Sequence, residues 1–274
     1  MGNARLRSIH VHPVKAFRGV SPRKAVVEPW GLAGDRRWTL IDDGGKVVTQ
    51  REQPRLALAA AEPLPGGGVR LSAPGRDPLE VAVPEPAATV PVSVFGTEVA
   101  AVPASDSAHM WCSGHLGAGV RLVHMDDPAS RRPLDPEYAR PGETVSFADG
   151  YPLLVTSVAS LDALNELVAR GDHADEGPLP MNRFRPSVVV EGTEPWAEDD
   201  WSGLSIGGVD FRVAKPCARC VVTTTDQDTA RRGREPLRTL ARHRKVGGRL
   251  LFGQNLVPLA PGTIRVGDPV RVLS

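Results

Sequence analysis

Through its first half the chain alternates between short apolar runs and turn-forming residues. The runs LRSIHVHPVKAF, KAVVEPW, RRWTLIDDGGKVVTQ, LALAAAEPL, GGVRLSAPG, PLEVAVP and TVPVSVFGTEVAAVP follow one another with Gly, Pro or Asp-Gly between them. Runs of roughly four to eight residues rich in Val, Leu and Ile, bounded in this way, predict strands and hairpins. IDDGGKV, residues 41–47, predicts a hairpin turn, because Gly44 and Gly45 can take positive φ. The N-terminal half therefore reads as an all-β unit, a barrel or a sandwich.

A helical period surfaces in three places. SDSAHMWCSGHLG (105–117) predicts a short helix capped by Ser105 or Asp106 and stopped by Gly114 or Gly117. TSVASLDALNELVARG (156–171) places Leu161, Leu164, Leu167 and Val168 on one face, with Ser157 or Ser160 as N-cap and Gly171 as stop. EPLRTLARHRK (235–245) carries Pro236 in a first-turn position. SVVVEG, GLSIGGVDFRVAKP, CVVTTTD and GTIRVGDPVRVL predict further strands. The Pro- and charge-rich stretch DDPASRRPLDPEYARPGET is the best boundary, dividing the chain into 1–125 and 126–274. The fold class expected is mainly β with a few helices, α+β.

Composition narrows the function classes. With 41% hydrophobic and 24% charged residues this is an ordinary globular chain, and 28 glycines and 26 prolines fit many turns. A net charge of +1 gives no overall field to attract nucleic acid or an anionic membrane. No apolar run of about 18 residues appears, and the start lacks the apolar middle of a signal peptide, so a soluble cytoplasmic protein is expected. Three cysteines, an odd number, argue against a disulfide framework.

Two of those cysteines, Cys217 and Cys220, form a C-x-x-C in AKPCARCVVTTTDQDTA. A redox pair needs its first cysteine at a helix N-terminus, and the β-branched VVTTT that follows reads as strand. A structural zinc site needs four ligands; the second pair is missing, and only His109, Cys112 and His115 could complete one from far along the chain. Two packed cysteines acting as small hydrophobes are the ordinary alternative. Arg219, next to Cys220, favours the ionised sulfur that a soft metal ligand requires.

KPCARCVVTTTDQDTA, REPLRTLARHR, LFGQN and PGTIRVGDPV resemble, in that order, the C-terminal part of the MOSC domain family, and MNRFRPSVVVEG resembles its Phe-Arg-Pro block. HPVKAFRGV and GLAGDRRW resemble the companion MOSC N-terminal β-barrel region, so the resemblance spans nearly the whole chain. It implies a β-barrel MOSC domain behind a smaller N-terminal β-rich region, and kinship with the amidoxime-reducing components. It further implies a molybdenum cofactor, Mo-molybdopterin of the sulfite-oxidase type, and reduction of N-hydroxylated substrates by oxygen-atom transfer. On these motifs Cys220 is the metal ligand and catalytic centre, and Cys217 a packed neighbour. Lys15, Arg36 and Arg185 are implied to hold the pterin's phosphate and polar edge, with Ala218, Arg219 and Asn255 as further contacts. Ala16, Ser187 and Ala230 stand where the family commonly has Ser, Asn and Gly.

Physical chemistry adds that an anionic, flat, polar ligand calls for guanidinium forks, a lysine and helix N-terminal amides. Thr156 and Ser157, ahead of the second helix, are placed to serve a phosphate, or simply to cap that helix. Structural ion pairs are the ordinary alternative for Arg36 and Arg185. His10 or His12 could face the same cleft, and Trp38, Trp111, Trp196 and Trp201 are core or rim aromatics. From Arg231 to Arg249 eight cations face one acid, Glu235: either a solvated helix face, or a docking patch for an acidic electron carrier. No room for a fused iron–sulfur domain follows RVGDPVRVLS, so electrons are expected from a separate protein, ferredoxin- or flavin-reductase-like. Two rival readings use the same cysteine region: a sulfur- or cofactor-carrier protein, and a zinc-stapled β binding module.

Overall fold

The computed structural model describes residues 4–85 and 88–273. In chain order the strands are β1 (Arg5–Ile9), β2 (Lys24–Glu28), β3 (Gly31–Leu32), β4 (Trp38–Ile41), β5 (Ala60–Pro63), β6 (Val69–Ala73), β7 (Arg76–Val81), β8 (Val90–Val94) and β9 (Thr97–Pro103). Helix α1 (Asp106–Leu116), β10 (Arg121–His124), α2 (Pro128–Arg131), β11 (Leu153–Ser157), α3 (Val158–Ala169) and β12 (Val188–Glu191) follow. The chain ends with β13 (Gly203–Ile206), β14 (Val209–Ala218), α4 (Leu237–His243), β15 (Lys245–Val246), β16 (Arg249–Pro258), β17 (Gly262–Arg265) and β18 (Val270–Leu273).

One sheet runs β1-β12-β11-β16-β14-β13-β18. Its two ends return to each other: Arg5 bridges Pro269 and Val270 N–H donates to Ala4 O at 2.8 Å, so the sheet is a nearly closed barrel. Leu6, Ile9, Val155, Val188, Val190, Leu204, Phe211 and Leu256 fill its interior, all fully buried. β2, paired with β17, covers the same core through Val27 and Ile264. A second unit holds the sheets β4-β10-β9-β8 and β5-β6-β7, packed with α1 around Trp38, Leu40, Leu71, Trp111 and Leu122. Mainly β with four α-helices among the described residues, the architecture is the expected α+β class.

Local chemistry accounts for the helix ends. Ser157 Oγ accepts from Ser160 N–H at 3.0 Å and caps α3. α3 runs to Ala169 with Arg170 as its C-cap, and Gly171 N–H bonds Val168 O at 2.9 Å. Gly117 closes α1 in the left-handed region at φ 71, its N–H on Ser113 O. Residues 126–145 are not a loose connection: Leu134 and Val145 are buried, and buried Arg132 donates to Ser146 O at 2.9 Å and Asp149 O at 2.9 Å. The hairpin at 41–47 forms with Gly45 alone at positive φ, 77.

Candidate functional site

β14 leaves the barrel through two irregularities, at Val213/Lys215 and Pro216/Ala218, and carries the two cysteines to a cleft. Arg219 N–H donates to Leu250 O at 2.7 Å, the last tie to the neighbouring strand region, and Cys220 then leads into a 3-10 turn over Val221–Thr224. The strand expected for CVVTTTD is thus absent. Thr223 and Thr224 hydroxyls bond back to the carbonyls of Cys220 (2.9 Å) and Val221 (2.8 Å), three residues earlier. Such side-chain-to-backbone bonds offer the chain an alternative to a strand ladder and override β propensity. Buried Arg183 fixes the turn from below, donating to Thr224 O at 3.0 Å and Asp226 Oδ2 at 3.1 Å.

The cleft has a cavity volume of about 190 Å³ and opens to solvent. Lys15, Arg36, Arg51, Arg185 and Arg219 line it against one carboxylate, Asp149. Lys15, nearly fully buried, donates to Phe147 O at 2.7 Å and Asp149 Oδ1 at 2.5 Å. Burial lowers its pKa to about 8; Asp149 pulls it up and Arg132 and Arg36 push it down. Asp149 sits among protein groups on the cleft wall yet leaves 63% of its side chain open to the cleft. Burial alone would raise its carboxyl, but Lys15 and Arg51 outweigh that and hold it well below the usual range. Burial first, then Arg36, push Arg185 down to about 9, although Asp149 and Asp35 oppose the change. A guanidinium keeps its proton in proteins, so this shift reflects the cost of burying a charge, with a smaller part from Arg36 beside it, and a bound anion would offset both.

Backbone strain is concentrated in the same wall. Ala16 (φ 70), Arg36 (φ 46) and Arg185 (φ 51) all take the left-handed region. Non-glycine residues persist there only when their surroundings dictate it. Here Arg36 Nη1 is held by Asp35 at 2.5 Å, Arg185 Nη2 by Phe17 O at 2.8 Å, and Gln50 Nε2 donates to Ala16 O at 2.7 Å. Ala230, where the family's Gly is expected, also takes positive φ, 58, which is the physical reason for a glycine preference at that position.

Of the residues singled out in the sequence, Lys15, Arg36, Arg185, Ala218, Arg219, Cys220 and Asn255 meet in this cleft. Asn255 Nδ2 is spent on Lys215 O and Pro216 O, at 3.3 and 3.4 Å. Thr156 and Ser157 do not join them. Both are fully buried: Thr156 Oγ1 donates to Met181 Sδ, and Ser157 caps α3 and bonds Glu198 Oε2 at 3.1 Å, so neither hydroxyl is free for a ligand. Cys217 is not a packed core residue either. It is half-exposed on the cleft wall, and Arg219 Nη1 stands 2.9 Å from its sulfur. Arg219 is fixed in turn by Phe184 O at 2.7 Å, while its buried Nε has no partner.

His10 and His12 do not line the cleft. Ser8 and Ser21 hydroxyls hold His10, and His12 is buried against Asp35. The zinc reading fails on geometry: His109 meets Leu122 O, His115 meets Arg55 O, and Cys112 lies buried in the core around α1. Among the described residues no three His, Cys, Asp or Glu gather as a metal set.

The sequence reading missed Arg51 and Asp149. Arg51 Nη2 lies 3.4 Å from Cys220 Sγ and 3.3 Å from Asp149 Oδ2, partners 169 and 98 residues away in the chain, so no local spacing marks it. Arg232 Nη2 holds the carbonyls of Gln50 (2.5 Å) and Arg51 (2.6 Å), and Gln50 and Gln227 exchange amide bonds at 3.1 Å, which locks Arg51 against the cysteine turn.

Residues 3–119 match the MOSC N-terminal beta barrel domain and residues 142–271 the MOSC domain. Mitochondrial amidoxime-reducing component 1 of Homo sapiens is 34% identical over 96% of this chain and 81% of its own length. Its counterpart in Danio rerio is 32% identical over 95% of this chain and 82% of its own. Molybdenum cofactor sulfurase of Oryza sativa is 31% identical over 90% of this chain but only 32% of itself. With both domains matched in order and the first two relatives covered over most of their length, the chain belongs to the MOSC-domain family in the two-part form of the amidoxime-reducing components.

Proposed function

We propose that the chain is a molybdenum-cofactor-dependent reductase of N-hydroxylated compounds of the amidoxime or hydroxylamine type. The observation that carries this reading is the meeting of the Cys220 sulfur with five cations in one cleft. The residues present fit the group: a sulfur on a clamped turn suits a soft metal, and the strained, mutually repelling Arg36 and Arg185 with Lys15 suit a phosphate-bearing pterin. When bound, the molybdenum centre supplies two-electron oxygen-atom-transfer chemistry. The chain's own part is to present Cys220 Sγ on the Arg183-held turn, to keep a proton on Lys15 Nζ below about pH 8, and to hold Arg51 against Asp149 and the sulfur. Each N–O bond broken consumes two electrons and two protons and releases water, with the electrons drawn from a separate donor protein.

The basic stretch 231–249 offers less to such a donor than its charge suggests. Arg242 and Arg238 share Asp172, Arg244 pairs with Asp199 and stacks 4.3 Å from the Trp196 ring, and Arg232 is tied to the cleft wall. Arg231, Arg234, Lys245 and Arg249 remain exposed and constitute the part of it that can meet an acidic partner.

Likeness to the sulfurase favours one rival, a carrier of sulfur or cofactor on Cys220. Elemental and pterin analysis of protein from a molybdenum-replete host separates the two. Stoichiometric molybdenum with pterin, lost in Cys220→Ala and kept in Cys217→Ala, is the expected result. Labile sulfur with little molybdenum indicates the carrier, and a Cys220→Ala protein that keeps both metal and N-reduction refutes the ligand assignment.

A further inference from the structure

A second cavity, of about 340 Å³, adjoins the cleft and shares Lys15, Thr49 and Arg51 with it; Lys46, Glu52 and Phe95 are among the residues that complete it. Phe95 is its unusual member. It occupies the first position of the two-residue β8–β9 turn, set by the Val94–Thr97 pair, with φ 51 followed by φ 84 at Gly96. That is a type I′ turn, whose first position suits Asn, Asp or Gly, and a bulky aromatic there is strained. The ring is also 59% exposed, so burial does not offset the strain. Two cations lie near it instead: Arg51 Cζ is 5.1 Å and Lys15 Nζ 5.4 Å from its centroid, the same two that reach Asp149. The lining carboxylate, Glu52, is already engaged by the Thr49 N–H and hydroxyl, at 3.2 and 2.7 Å.

The geometry points to this cavity as the substrate vestibule, with Phe95 as a stacking platform that selects flat, conjugated N-hydroxylated compounds carrying an anionic group. This deepens the reductase reading and rests on it. The exposed part of the ring receives the planar body in offset stacking, and Lys46 at the rim receives the anion. Arg51 spans both cavities, so a compound stacked on Phe95 has its far end directed toward Cys220.

The turn geometry supplies a clean variant, because Phe95→Asn puts a favoured residue at that position and is expected to melt no lower than wild type. Calorimetry with 4-carboxybenzamidoxime, without reductant, on the molybdenum-loaded protein should show about tenfold weaker binding in Phe95→Asn and near wild-type binding in Phe95→Trp. In turnover, the preference for that compound over acetamidoxime should fall by a similar factor through KM. Equal affinity and unchanged preference in Phe95→Asn would overturn the vestibule while leaving the reductase intact. A wild type that binds the aryl compound in a Phe95-dependent way yet reduces neither amidoxime upholds the pocket and removes the reductase reading.

Discussion

Lys15 shows how a single residue carries the site's response to pH. Its pKa of about 8 lies below the ordinary 10.5, so between those values the unfolded chain binds more protons than the folded one, and through this group stability rises with pH. Anion binding has the opposite sign, because it uses the protonated amine. Affinity of the cofactor-free protein for glycerol phosphate, whose second ionisation near pH 6 is then complete, should fall as pH passes about 8. Lys15→Met should bind it more weakly at pH 7 and show no such slope; a wild-type affinity level from pH 7 to 9 would remove Lys15 from the phosphate site. The residue types that mark this chemistry, a cysteine beside arginines and a lysine, were legible in the sequence. Arg51 and Asp149 were not, because an Arg or Asp on a polar loop is marked only by the partner it meets in space.

Between elements, the instructive case is the pair Thr156 and Ser157 at the β11–α3 junction. Sequence alone supports both a phosphate site and a plain N-cap there, and the structure decides for the cap by burying both hydroxyls and giving Ser157 to Ser160 and Glu198. Ser157→Ala should therefore cost about 1–2 kcal/mol in a denaturant melt, and leave molybdenum content per folded protein unchanged. A loss of cofactor without loss of stability would reverse this assignment. VVTTT teaches the converse lesson. Its β-branched run predicts a strand, but two threonine hydroxyls and one buried arginine, Arg183, bend it into the turn that presents Cys220.

Across the whole molecule, the sequence order and the spatial order differ. β1 and β2, from the first 28 residues, pair with β12 and β17; β1 completes the barrel of the C-terminal half and β2 covers its core. A fragment of residues 126–274 would lose fully buried Leu6, Ile9 and Val27, roughly 1.5–3 kcal/mol each, and would expose the edges of β12 and β17. Such a fragment is expected to aggregate or to bind a hydrophobic dye in circular dichroism and fluorescence assays, whereas a cooperative, dye-free melt would establish 126–274 as an independent unit. The alternation of short apolar runs determined the β-rich class and most strand positions, because period-two burial is written residue by residue. The ordered motifs determined the family and singled out the sulfur. Only the tertiary structure decided which cations reach that sulfur, which hydroxyls are spent on caps and where an exposed ring meets the cleft. The decisive ones join residues far apart in the chain, from 41 positions for Ser157–Glu198 to 169 for Arg51–Cys220, and neither propensity nor spacing encodes them.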